Sequence, residues 1–256
     1  MSRLRARCPN CGTLTAVALG AEYECHVCGR TYPAGLVRVP RAWGEGGEPM
    51  AEAAALPLPY PETGVVEETT LAQQTRAIAE DLPDRPVVLG GCCCAHIGAI
   101  AGLTSRFDRL AVIWLDAHGD LNTVETSPSG NEWATPLRMA IDSQAVDPRN
   151  VALVGARSLD PPEDEYIAAA GIHRDDVPAA LDGADAAYVA LDVDVLRPGE
   201  LSAFMPEDGG PTLDEVEALL ARVASETRVA GAGVTALRPD PGNVEPVMRL
   251  LRALGL

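Results

Sequence analysis

The chain has 256 residues, 47% of them hydrophobic, and a formal net charge of -17. That length holds a large core and suits one big domain with a small appendage. All 20 basic residues are Arg, which excludes Schiff-base chemistry on a lysine and a Walker-type phosphate lysine.

Charge is unevenly spread. Residues 1–43 carry six Arg against Glu22 and Glu24, a balance of +4 that leaves -21 for the rest. So acidic a body argues against nucleic acid as a partner, because phosphate contacts need a basic face. No stretch approaches the roughly 18 apolar residues of a membrane span, and MSRLRARCPNCG lacks the apolar middle of a secretion signal. The expectation is a soluble cytoplasmic protein with no membrane partner.

The N-terminus holds Cys8, Cys11, Cys25 and Cys28, two C-x2-C pairs each followed by Gly. In a cytosolic chain such spacing favours a tetrahedral zinc site over disulfides, with each thiolate gripping the ion at about 2.3 Å. The pattern resembles a zinc ribbon, with TLTAVAL and TYPAGLV as its short strands. Its role reads as structural, because a segment this short needs a metal to fold; iron is the alternative ion. His26 reads as a solvent-facing knuckle residue. The module is assigned to residues 1–43, and residues 44–83, dense in Pro, Gly and Glu, are assigned to a wrapping linker and a first helix.

After residue 70 apolar runs alternate with helical patterns, and residues 84–256 are assigned to one large domain. PVVLGG, LAVIWLD, VALVGA, AAYVALD and VAGAGVTAL read as buried parallel strands. LAQQTRAIAEDL, HIGAIAGLTSRF, EDEYIAAAG and TLDEVEALLARVA read as helices, the last opened by a capping box of Thr212 and Glu215. The fold class is therefore α/β, with function at the C-terminal ends of the strands.

Chemistry collects at those ends. Asp116, His118 and Asp120 follow one strand, Asp192 and Asp194 another, and alternate residues of an extended chain point the same way. Four carboxylates and an imidazole converging there repel one another without cations. One or two divalent metals are expected, with a shared water activated to hydroxide.

Five segments in order, GGCCCAHIGAI, VIWLDAHGDLNT, SPSGNEWATPL, VGARSLDPPEDE and ALDVDVLRP, resemble the ureohydrolase family of arginase, agmatinase and formimidoylglutamase. The resemblance implies a three-layer α/β/α fold with a mainly parallel sheet. It also implies a manganese pair that hydrolyses a guanidino or amidino C–N bond, and a homotrimer or hexamer. It assigns Asp116, His118, Asp120, Asp192 and Asp194 as metal ligands, with Asp120 and His118 also catalytic.

The chain departs from the family pattern at Cys92, Cys93 and Cys94, where the family writes Asp-His-Ser. Cys93 takes the position of the remaining His ligand, and as a softer, anionic donor it shifts preference toward zinc or iron. His96, one turn onward, is the competing donor, and a nucleophilic Cys93 is a third option. Cys92 and Cys94 fall where an acid and a hydroxyl stand in the family.

By the same resemblance Ser129 and Asn131 meet an amino acid's α-carboxylate, and Asp160 and Glu163 its α-amino group. Trp133 stands where arginases place a proton-shuttling His, and Ala236 where they place a Glu that pairs with guanidinium. Arg157 matches a family Arg with a structural role. Losing the carboxylate at 236 removes the charge-assisted pairing that selects a cation, so hydrolysis of arginine itself is not expected. The leading expectation is a metal-dependent hydrolase of a linear guanidino or amidino bond in a small, amino-acid-like substrate. The alternative is an inactive scaffold that works through its ribbon.

Overall fold

The computed structural model describes residues 5–256, and it contains two sheets. The first is an antiparallel ribbon of β1 (Arg5–Ala6), β2 (Ala16–Leu19), β3 (Glu22–Cys25) and β4 (Thr31–Tyr32). At each C-x2-C pair the following Gly amide donates back to the first Cys carbonyl, Gly12 to Cys8 and Gly29 to Cys25. These tight turns bring the four sulfurs within 4.8 Å of one another. None of the seven cysteines is in a disulfide. His26 is exposed.

The chain then enters the large sheet. Its members are β5 (Gly35–Val39), β6 (Glu62–Val65), β7 (Pro86–Gly90), β8 (Leu110–Leu115), β9 (Val151–Val154), β10 (His173–Arg174), β11 (Ala186–Asp192) and β12 (Val229–Thr235). Their order is β10-β9-β8-β11-β12-β7-β5-β6, and every neighbouring pair is parallel. The ribbon therefore does not extend to residue 43. Gly35–Val39, read from sequence partly as a ribbon strand, pairs with β7, and Glu62–Val65 in the expected linker is the sheet's edge.

The helices are α1 (Glu48–Ala53), α2 (Leu71–Asp81), α3 (Cys94–Thr104), α4 (Pro136–Asp142), α5 (Pro161–Ala170), α6 (Val177–Leu181), α7 (Leu213–Glu226) and α8 (Val244–Ala253). They cover both faces, because alternate strand residues point to opposite sides. Val87, Leu89, Ile113 and Leu115 join one core with Val216, Leu220 and Val223 of α7 and Leu250 and Leu251 of α8. Val88, Val112 and Trp114 join a second core with Ile78 of α2, Ile100 and Leu103 of α3 and Leu137 of α4. This is the expected three-layer α/β/α architecture. The capping box at Thr212 forms, Thr212 N donating to Glu215 Oε2 at 2.8 Å and Glu215 N to Thr212 Oγ1 at 3.1 Å. No described helix is long and apolar enough to cross a membrane.

Helix α3 opens directly from the β7 end, so its placement fixes the cysteine triplet. It lies close against α2 at Gly98, where an added Cβ would stand 2.6 Å from the Thr75 carbonyl oxygen and 2.7 Å from Ile78 Cβ. The opposing atom is backbone and cannot rotate away, so the helices must separate. We expect Gly98→Ala to destabilise the protein by roughly 1–3 kcal/mol, measurable as a lower denaturation midpoint with unchanged slope.

Candidate metal centre and adjoining cavity

Asp116 directly follows β8 and Asp192 ends the adjacent β11, while Thr235 ends β12 and Cys93 stands between the end of β7 and the start of α3. Each carboxylate is oriented by backbone donors. Asp116 Oδ1 accepts from His118 N at 2.7 Å, Asp192 Oδ1 from Asp194 N at 2.9 Å, and Asp194 Oδ1 from Ala117 N at 3.1 Å. Trp114 Nε1 donates to Asp116 Oδ2 at 3.1 Å. The second oxygens of Asp192 and Asp194 turn to Cys93 Sγ, at 3.0 Å, and His118 Nδ1, at 3.1 Å.

Two clusters of donor atoms result, Cys93 with Asp116 and Asp192, and Asp116 with His118 and Asp194, each within 4.8 Å. Asp116 belongs to both. Asp120 lines the same cavity, 6% exposed, with backbone φ of 52° and with Oδ2 buried and unpartnered. A left-handed Asp with an orphaned carboxylate oxygen is the sort of strained feature that clusters at functional sites.

Electrostatics agree with that reading. Burial and the neighbouring Asp194 push Asp116 up to about 6. Burial and the surrounding acids hold Asp120 and Asp192 well above the usual carboxylate range. Burial and Asp192 raise the Cys93 thiol in the same direction. Burial alone would lower His118, but the carboxylates of Asp116 and Asp194 outweigh it and push it up to about 12. The groups crowd negative charge that only protons or cations relieve. Carboxylate, imidazole and thiolate donors in two clusters sharing one Asp fit a pair of divalent metals.

His96 faces elsewhere. Its Nδ1 lies 2.9 Å from Tyr188 Oη and its Nε2 3.2 Å from Thr235 Oγ1, with its ring edge-on to Trp114 and Tyr188. It stands outside both donor clusters. Thr235 Oγ1 in turn contacts Cys93 Sγ at 3.0 Å, so His96 supports the site from behind.

A cavity of about 350 Å³ opens above the acids. Among its lining residues are Cys93, His118, Asp120, Asp192 and Asp194 together with Ser129, Asn131, Trp133, Asp160 and Glu163. While Cys8, Cys11, Cys25 and Cys28 form their own group in the ribbon, the structure thus gathers the sequence-derived site residues of the large domain around one space, apart from Asp116, which joins both donor clusters without lining the cavity. Their engagements differ. Glu163 spends both oxygens on backbone donors, Leu121 N and Asp160 N, each at 2.9 Å. Asp160 Oδ2 accepts from Asn122 Nδ2 at 2.8 Å, and Asn131 Oδ1 accepts from Glu45 N at 3.1 Å.

Sequence reading missed Phe204, which lines the cavity, and Glu207, whose Oε1 lies 3.4 Å from His118 Nε2. Both sit on a loop after β11 with no periodic pattern. Arg157 pins that loop, donating to the carbonyls of Gly155, Asp194, Val195, Glu207 and Asp208 at 2.9 to 3.1 Å. Glu207 has no local sequence signal, because its partner lies 89 residues away.

An acid-rich centre at the C-terminal ends of a parallel sheet, flanked by helices on both faces, defines a three-layer α/β/α protein with a candidate two-metal centre. The arginase family model matches residues 48–246, and the chain belongs to the arginase family. It is 37% identical over 157 residues to arginase from Bacillus subtilis, a match covering 51% of this chain and 53% of that protein. The chain thus spans about half the length of the curated relatives it matches. Crystallographic arginase from Bacillus subtilis superposes with a TM-score of 0.73 at 24% identity, over 86% of this chain and 97% of that one. Formimidoylglutamase from Bacillus subtilis gives 0.70 at 18% identity, over 86% of each chain. Both structural likenesses are likenesses of fold.

Burial lowers His96 to about 3 from its ordinary 6.5. The unfolded chain therefore binds a proton at His96 between those values while the folded chain does not, so this contribution to stability is present above pH 6.5 and is lost on acidification. In denaturant titrations of metal-free protein from pH 7 to 4, His96→Gln should remove a pH-dependent component of roughly 2–4 kcal/mol.

Proposed function

We propose that this chain is a metal-dependent hydrolase of a linear guanidino or amidino C–N bond, other than a peptide bond, in a small, amino-acid-like molecule. The observation that carries the reading is the pair of donor clusters sharing Asp116, with Asp120, whose Oδ2 is buried and unpartnered, lining the adjoining cavity. Cys93, Asp116, His118, Asp120, Asp192 and Asp194 would hold two divalent cations, manganese by family membership, with zinc or iron favoured by the Cys93 thiolate. When bound, such a pair supplies a Lewis acid that lowers the pKa of a water molecule and neutralises the carboxylates.

The chain's own groups do the rest. Asp120 Oδ2 takes the proton released by the attacking water and passes it to the departing amine. His118 is held from two sides, by Asp116 and Asp194 at Nδ1 and by Glu207 at Nε2, which fixes its ring. Thr235 Oγ1 orients Cys93 Sγ. Asp160 receives a substrate amine at the mouth, with the Ser129 hydroxyl and Asn131 beside it.

The ribbon sulfurs would hold a structural zinc through Cys8, Cys11, Cys25 and Cys28. Tyr32 Oη, 3.1 Å from Cys8 Sγ, and Thr15 Oγ1, 3.3 Å from Cys25 Sγ, would tie the ligands to the ribbon strands. Cytoplasmic residence and a homo-oligomeric state belong to the same reading.

Metal content by plasma mass spectrometry and turnover on a panel of amidines and guanidines, with ammonia, urea and amide detection, test the proposal. Asp120→Asn should lower kcat about 100-fold or more while the protein stays folded. Cys93→His should shift the retained metal toward manganese. Glu207→Ala should weaken the more loosely held metal about 10–100-fold in chelator competition, and Glu207→Gln should restore part of that loss. A fully metallated protein that turns over no member of the panel would support the scaffold reading instead.

A further inference from the structure

The wall of the cavity beside the acid cluster carries a statement about the substrate's reacting end, which rests on the hydrolase reading above. Cys93 Sγ and Thr235 Oγ1 touch at 3.0 Å, and the residue before the one and the residue after the other, Cys92 and Ala236, also line the cavity. These two belong to one apolar cluster with Met50, against which Trp133 and Phe204 pack. The wall thus begins one residue from the acid cluster.

The wall is fixed in place. The Trp133 and Phe204 rings meet edge to face with centroids 5.9 Å apart. Phe204 N donates to the Ala236 carbonyl at 2.7 Å, and Trp133 N to the Trp43 carbonyl at 3.1 Å. Behind Trp133, a Cβ on Gly44 would stand 2.4 Å from the indole, so only Gly allows the ring this position. The wall's apolar cluster contains no carboxylate; those lining the cavity are Asp120, Asp192 and Asp194 of the acid-rich centre and Asp160 and Glu163.

A guanidinium reacting at the acid cluster would press a terminal amino group against this wall and leave its N–H donors dry and unpaired. An alkyl group in the same place gains burial instead. We propose that the substrate is an alkyl-substituted amidine carried on an amine-bearing chain, with a carbon substituent where a guanidinium has its second amino group. Hydrolysis balances without a redox partner. Water oxygen bonds to the amidine carbon, and the bond from that carbon to the chain nitrogen breaks. The chain leaves as a primary amine and the remainder as a simple carboxamide.

The test compares arginine with Nδ-(1-iminoethyl)ornithine, which differs by a methyl group in place of one terminal amino group. Calorimetry uses the metal-loaded full-length chain and its Asp120→Asn form, so binding is read apart from turnover. The methyl compound should bind about 10–100-fold more tightly than arginine. Ala236→Glu should reverse that order, and Trp133→Ala should narrow the gap without relying on a new charge. Arginine binding equally or better, or neither compound binding at millimolar concentration, overturns the inference. A retained preference with no release of acetamide leaves the inference standing and sinks the hydrolase reading.

Discussion

The structure depends on one electrostatic constraint, the burial of several acids around a single point at the top of a parallel sheet. Asp116, Asp192 and Asp194 are at most 7% exposed, and Asp120 is 6% exposed. In the interior such charges repel strongly and lose their hydration, so they persist only when something opposes both effects. The fold answers part of this itself. Backbone amides at residues 117, 118 and 194 each donate to one oxygen of a carboxylate, which fixes the other toward the centre. Those amides come free because β8 stops at Leu115 and β11 at Asp192, and the chain turns there. The same turns that end the strands therefore build the donor set.

The sheet order explains why the acids meet. β8 pairs with β11, β11 with β12 and β12 with β7, so four strand ends that are distant in sequence stand side by side. Cys93 completes the group from the start of α3, and its thiol is reached by Asp192 and by Thr235. Thr235 contacts both Cys93 and His96, which makes the buried imidazole a brace for the thiol. The Cys93 thiol at one side of the centre and the apolar wall above it meet at adjoining positions, since Cys92 and Cys93 are consecutive.

Much of this was legible in the chain. The five central strands are apolar on both faces, so their runs stand out, and the Asp-x-His-x-Asp and Asp-x-Asp motifs follow two of them directly. The edges were not legible. GLVRV of β5 follows the ribbon without a break in composition, and ETGV of β6 is short, half exposed and interrupted by Gly. The strand at Glu62–Val65, and the place of Gly35–Val39 in the large sheet rather than the ribbon, come from pairing of β5 with β7 and with β6, which local pattern does not encode. Helix α8 went unread despite a clean apolar stripe of Val247, Leu250 and Leu251, because its first turn contains Pro246. Phe204 and Glu207 sit on a loop positioned by the distant Arg157, and only the folded chain brings them to the cavity.

The N-terminal ribbon belongs to the same argument. It is joined to the large sheet by a bridge from Arg7 to Glu62 on the edge strand β6, with both backbone hydrogen bonds formed at 2.9 and 3.0 Å. Tyr23 of the ribbon lies against Gly35 at the start of β5. From the end of β5 the chain runs straight into residues 41–47, which touch the cavity wall. Trp43 N donates to Cys92 Sγ at 3.4 Å and Trp43 Nε1 to Gln74 Oε1 at 3.0 Å, while Glu45 N holds Asn131. The ribbon thus anchors one end of a strand whose other end supports Trp133 and the cysteine triplet. The bridge at Glu62 occupies part of an otherwise open sheet edge, and the segment leaving β5 is held in register. The small module and the cavity wall are therefore two ends of one mechanical connection.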